Sequence, residues 1–129
     1  MFAGGSMRCR ILLADDVAEI RNLMRVWLSI EGDGFEIVGE AADGAEAVAL
    51  ADEHKPHVAI LDLSMPRMDG LTAIGEIRRC SPATKIMILS GFDAAMMSER
   101  ALEQGADLYI EKGSPLPEIT HALRGLCPR

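Results

Sequence analysis

Five short apolar runs alternate with five helix-like segments between residues 9 and 126, and that alternation leaves few folds open. The runs are CRILLAD (9–15), FEIVGEA (35–41), VAILDL (58–63), KIMILSG (85–91) and DLYIEKG (107–113). The first is continuous rather than alternating, as a strand buried on both faces should be. The second alternates, which suits a sheet edge. Between them, residues 17–30, 45–54, 70–79, 94–105 and a segment opening at Ser114-Pro115 carry helical spacing. Val17, Ile20, Met24, Trp27 and Leu28 fall on one face of the first helix; Leu116, Ile119, Ala122, Leu123 and Leu126 stripe the last. Asp43 is placed to cap the second helix, Gly105 to end the fourth, and Ser114 to cap the fifth with Pro115 in its first turn. Asp33-Gly34 reads as a turn, and Lys55-Pro56 as a break. Regular βα alternation with no repeat or linker predicts one α/β domain, a parallel sheet with helices on both faces.

Composition narrows the classes. The chain of 129 residues is 49% hydrophobic but holds only three Phe, one Tyr and one Trp, so its core should be aliphatic. The net charge of −7 argues against nonspecific nucleic-acid binding, which rests on cationic side chains. No apolar run approaches the roughly 20 residues that span a bilayer. The N-terminus lacks the pattern of a signal peptide, and residues 1–7 read as a flexible segment before a domain at 8–127. Cys9, Cys80 and Cys127 have no zinc-site spacing; reduced thiols in a cytoplasmic protein are the simplest expectation. His54 and His57, at the end of a helix with no third ligand nearby, read as solvated rather than metal-binding.

In a sheet of this kind, ligands bind beyond the carboxyl ends of the strands. Strand one ends in Asp15-Asp16, strand three at Asp62, strand four in Ser90-Gly91, and strand five near Lys112. Alone, the Asp pair could cap a helix, Ser90 could be a turn residue, and Lys112 could be merely solvated. Together they converge. Three carboxylates repel one another and invite a hard dication such as Mg²⁺; the scarcity of His and Cys argues against zinc. A carboxylate beside Mg²⁺ can attack phosphorus and form an aspartyl phosphate. The Ser90 hydroxyl and the Lys112 ammonium could then serve the phosphoryl oxygens.

The motifs LLADD (12–16), LDLSMPRMDG (61–70), ILSG (88–91) and YIEKG (109–113) resemble the receiver domain of two-component response regulators, over residues 8–126. The resemblance implies the flavodoxin-like (βα)5 doubly wound fold with strand order 2-1-3-4-5. It implies Asp62 as phosphoacceptor, Asp15 and Asp16 as the acidic pair with Asp16 favoured as direct Mg²⁺ ligand, and the Ser64 carbonyl as a further ligand. Ser90 takes the Ser/Thr switch position, Lys112 the lysine position, and Tyr109 the switch-aromatic position. Implied partners are a sensor histidine kinase or phosphotransfer protein, and a second copy through the fourth helix, fifth strand and fifth helix. Catalysis would be limited to self-phosphorylation and slow self-dephosphorylation. A degenerate receiver acting without phosphorylation is the alternative. A haloacid-dehalogenase-like phosphohydrolase would want an acid where Ser64 stands, and a flavin site would want a phosphate cradle where the acidic ADDVAE (14–19) stands.

Many receivers follow the lysine with proline, whereas here Gly113 precedes Ser114-Pro115. KGSP resembles the variant found with LuxR-type output domains. It predicts a trans Lys112-Gly113 bond and a glycine using positive φ.

Overall fold

The computed structural model describes residues 8–32, 34–91 and 94–128, the side chains of 94–96 excepted. Strands β1 (Cys9–Ala14), β2 (Phe35–Ala41), β3 (Val58–Leu61), β4 (Lys85–Ser90) and β5 (Leu108–Glu111) alternate with helices α1 (Ala18–Ile30), α2 (Gly44–His54), α3 (Gly70–Cys80), α4 (Ala94–Gln104) and α5 (Leu116–Leu126). All four strand pairings are parallel, in the order β2-β1-β3-β4-β5. The central strands β1 and β3 are apolar but for Arg10 and almost wholly buried, while β2 at one edge is only half-buried.

The sheet separates two aliphatic cores. On one face Leu12, Leu61, Ile86 and Ile88 pack with Ala47, Ala51, Ile74, Ile77 and Ala101 from α2, α3 and α4. On the other, Ile11, Leu13, Ile60 and Met87 pack with Met24, Trp27 and Leu28 of α1 and with Ile119 and Leu123 of α5. Trp27 is thus a core residue, and Met97 packs at the edge of the first core. Asp43 caps α2 by accepting from the Glu46 amide at 2.8 Å, and Asp69 caps α3 by accepting from Thr72 at 2.8 Å. Gly105 ends α4 with φ of 121°.

Several expectations are corrected. Val17 lies before α1 and stays exposed, because the helix starts at Ala18 and its inward face begins one turn later. Ser114 does not cap α5: the helix starts at Leu116, Pro115 occupies the cap position without a side-chain bond, and Pro117 takes the proline-tolerant first turn. Gly113 does not use positive φ, which among the described glycines belongs to Gly32 and Gly105; the bond before it is trans, as expected. The His57 Nδ1 accepts the Arg10 amide at 2.9 Å and His54 lies beside Glu53, so the histidines serve local contacts. Asp33 of the Asp33-Gly34 turn, residues 1–7 and the Met96 side chain lie outside the described residues.

The cysteines are the largest departure. Cys9 and Cys127 are joined as a disulfide, with Cα atoms 5.5 Å apart, and only Cys80 is a free thiol. Cys9 opens β1, and Cys127 follows α5, which packs across that strand's face. The two ends meet at the edge of the sheet remote from Asp62. A separation of 118 residues hides the pair from any local reading of spacing. The step from unpaired thiols to a reducing compartment therefore loses its premise.

Candidate functional site

β1, β3 and β4 end side by side, so the residues that follow them are brought to one edge by the ladder itself. The Asp62 amide donates to the Ala14 carbonyl at 2.9 Å, and the Asp15 amide to Ala41 at 3.0 Å, extending the pairing one step beyond the strands. Lys112 follows β5 and is pinned to the end of β4 by its amide, which donates to the Ser90 carbonyl at 2.6 Å. Residues from four segments far apart in sequence become neighbours without any loop having to reach.

The carboxylates of Asp15, Asp16 and Asp62 lie within 4.8 Å of one another. Lys112 Nζ sits 2.8 Å from Asp15 Oδ2 and 3.3 Å from Asp62 Oδ2, bridging the two buried acids. Asp15 Oδ1 accepts the Val17 amide at 2.9 Å, so both its oxygens are engaged. Asp62 Oδ1 accepts only a longer bond from the Ser64 amide, at 3.2 Å. Asp16 is exposed. One cation beside three acids leaves negative charge uncompensated, and the donor set is all oxygen. Those two observations fit a hard divalent cation, with Asp16 the acid most accessible to it.

The electrostatics follow from this crowding. Burial lifts the Asp62 carboxyl above the ordinary aspartate range, and the Asp15 charge adds to the rise; the Ser64 amide and Lys112 oppose it without cancelling it. Burial by itself would depress Lys112, but its hydrogen bond to Asp15 and the charges of both acids outweigh that and raise its pKa. Burial also raises the Tyr109 phenol.

Ser90 is buried at the end of β4, and the Tyr109 hydroxyl is buried beside it. The Ser90 hydroxyl slightly opposes that rise, but no partner reaches the Tyr109 hydroxyl in hydrogen-bond geometry. The Tyr109 ring packs, partly buried, against the core on the face of the sheet that carries α3 and α4.

Three residues near the site were not singled out from the sequence for it. Arg21 of α1 donates from Nη1 to the Asp15 carbonyl at 2.6 Å and pairs with Glu40 of β2 at 3.4 Å, tying the acidic loop to the sheet edge. An arginine one turn into the helix after an acidic pair is the signal that was available. Arg67, in the loop after β3, pairs with Asp43, anticipated only as a helix cap. Nothing in the sequence links residues 24 positions apart. Among the described residues no helix is long and apolar enough to cross a membrane.

Comparison with known proteins agrees with this architecture. The family model of the response regulator receiver domain matches residues 11–124. The transcriptional regulatory protein PdtaR of Mycobacterium tuberculosis is 41% identical over 116 residues, covering 88% of this chain and 54% of its own length. The chain thus spans about half the length of the curated relatives it matches. A two-component response regulator of the LuxR family from Aurantimonas superposes with a TM-score of 0.86 at 31% identity, over 93% of this chain and 85% of that one. The complex of CheX with CheY, BeF3 and Mg from Borrelia burgdorferi matches with a TM-score of 0.79 at 26% identity, over 91% and 87% of the two chains. With its strand order, its edge of acids and lysine, and these likenesses together, the chain belongs to the response regulator receiver domains of two-component systems.

Proposed function

We infer that this domain is a phosphorylation switch whose acceptor is Asp62. The observation that carries the reading is the Lys112 ammonium bridging Asp15 and Asp62, with Asp16 alongside. An Asp62 oxygen attacks the phosphorus of a phosphohistidine on a sensor kinase or phosphotransfer protein; the P–N bond breaks and the imidazole nitrogen leaves. Asp16, Asp62 and the Ser64 carbonyl would hold Mg²⁺, with Asp15 assisting. The ion would neutralise charge on the transferring phosphoryl group. Lys112 is placed to exchange its contact with Asp62 for one to a phosphoryl oxygen, and the Ser90 hydroxyl to donate to another. The BeF3 and Mg held by the similar Borrelia CheY complex support the same chemistry here.

The chain transforms no external substrate in this reading; it phosphorylates and slowly dephosphorylates itself. Large apolar side chains Leu23, Val26 and Ile30 stand exposed on α1, the helix that leaves the acidic pair, and a phosphodonor docking beside Asp62 can bury them. The output face is α4, β5 and α5, reached through Ser90 and Tyr109, and it engages a partner or a second copy.

Acetyl phosphate with Mg²⁺ should add one phosphoryl group to the intact mass, in alkali-labile linkage. EDTA or Asp62→Asn should abolish it. Labelling that persists in the Asn variant would refute the assignment.

A further inference from the structure

The loop after β3 has an improbable backbone shape, and one of its side chains ties it to α2. Arg67 has φ of 68°, a left-handed backbone conformation suited to glycine or asparagine rather than arginine. Around it the Met68 amide donates to the Pro66 carbonyl at 2.7 Å, a three-residue turn of the strained, uncommon hand. Such backbone persists only where its surroundings over-determine it.

Two contacts do so. Arg67 Nε lies 2.8 Å and Nη2 2.6 Å from Asp43 Oδ2. The other oxygen of Asp43 accepts the Glu46 amide at 2.8 Å, so this buried carboxylate serves α2 with one atom and the loop with the other. The Glu46 amide and then Arg67 hold the Asp43 carboxyl below the usual range, keeping it charged. Gly44, the next residue, lets α2 abut the loop: a Cβ there would stand 2.1 Å from the Met68 carbonyl oxygen. The loop's two ends meet, the Gly70 amide donating to Leu63 at 3.0 Å, and at its start the Ser64 amide donates to Asp62 Oδ1 at 3.2 Å.

Asp62 and Gly70 therefore bound a short closed loop, and Arg67 is fixed to α2 from its outer side. Only Met65 and Pro66 separate Ser64 from Arg67. Freeing Arg67 lets the turn relax, and the slack passes to Ser64 and Asp62.

We propose that Arg67 is a positioning residue. Its pairing with Asp43 sets where the Ser64 carbonyl and the Asp62 carboxylate present themselves to a divalent cation. This rests on the reading of Asp62 and Ser64 as metal-binding, and it adds a determinant of that site which touches neither metal nor phosphoryl group.

The test is a Mg²⁺ titration of the full chain followed by amide NMR, with thermal unfolding alongside. Arg67→Gly is the informative variant, because glycine removes the guanidinium while relieving the turn. It should weaken Mg²⁺ binding about tenfold, as the loss of a group supporting a metal ligand commonly does, with an unfolding temperature equal to or above that of the parent. Arg67→Lys should recover part of the affinity. Without metal, the Ser64 and Asp62 amide resonances should shift in Arg67→Gly. Acetyl phosphate labelling should slow at low Mg²⁺ and recover at saturating Mg²⁺. Parent-like Mg²⁺ affinity with unmoved Ser64 and Asp62 resonances in Arg67→Gly would overturn the proposal. Failure of the parent itself to bind Mg²⁺ would instead overturn the metal-site reading and this proposal with it.

Discussion

Asp62 is a residue whose charge the fold opposes. Its raised pKa means that the folded chain holds this proton more tightly than the unfolded chain does. Stability therefore falls as pH rises from the ordinary value of 3.8 toward the higher folded value, and the deficit is complete above it. Asp62→Asn should remove that deficit and stabilise the domain by about 0.5–2 kcal/mol, the usual range where function rather than stability selected a residue. Thermal unfolding at neutral pH checks it; an Asn variant no more stable than the parent would contradict the electrostatic account. Lys112 has the opposite sign. Its folded pKa is raised, so its contribution is present below the ordinary value of 10.5 and is lost as pH climbs through the folded value. These residues were legible because a polar group ending an apolar run stands out against its neighbours. Arg21 and Arg67 were not, because their importance lies in partners that only the folded chain brings near.

Among elements, α2 and the loop after β3 are the tightest fit. Gly44→Ala would set a methyl against the Met68 backbone, which cannot swing aside as a flexible side chain can. Overpacking of this kind costs roughly 1–3 kcal/mol, and urea unfolding should show a lower midpoint with an unchanged slope. Gly113→Ala should behave differently. Its Cβ would meet nothing within 4 Å, and its φ is not positive, so the change should be neutral or stabilise by about 0.4–1 kcal/mol through the unfolded chain. A large loss at Gly113 would mean that the loop needs glycine after all. The number, type and order of elements could be read from the sequence because periodicity and punctuation are local. The start of α5 differs from the expected one because Ser114, Pro115 and Pro117 each fit a helix start, and local punctuation alone does not choose among them. The conformation of Gly113 was misjudged because glycine permits positive φ without requiring it.

At the scale of the molecule, the Cys9–Cys127 disulfide closes nearly the whole chain into one loop, and its consequence lies mainly in the unfolded state. A cross-link spanning 118 residues removes conformational entropy corresponding to about 5 kcal/mol in the chain-entropy treatment, an upper figure for a real protein. It joins the start of β1 to the end of α5. Asp15 lies beyond the opposite end of that strand, whose six residues at about 3.3 Å each place the two regions roughly 20 Å apart. Stability and phosphorylation should therefore separate. Reduction with dithiothreitol should lower the unfolding temperature markedly, and Cys127→Ser should reproduce the reduced value and abolish sensitivity to the reductant. Labelling of Asp62 by acetyl phosphate at 25 °C should be unaffected in both, since the acids and Lys112 lie beyond the opposite end of the strand. An unfolding temperature identical with and without reductant would show that the pair stays reduced in solution. A labelling rate that falls with reduction while the domain remains folded would show that the two ends of β1 are coupled, and that the cross-link reaches the acceptor site through the sheet.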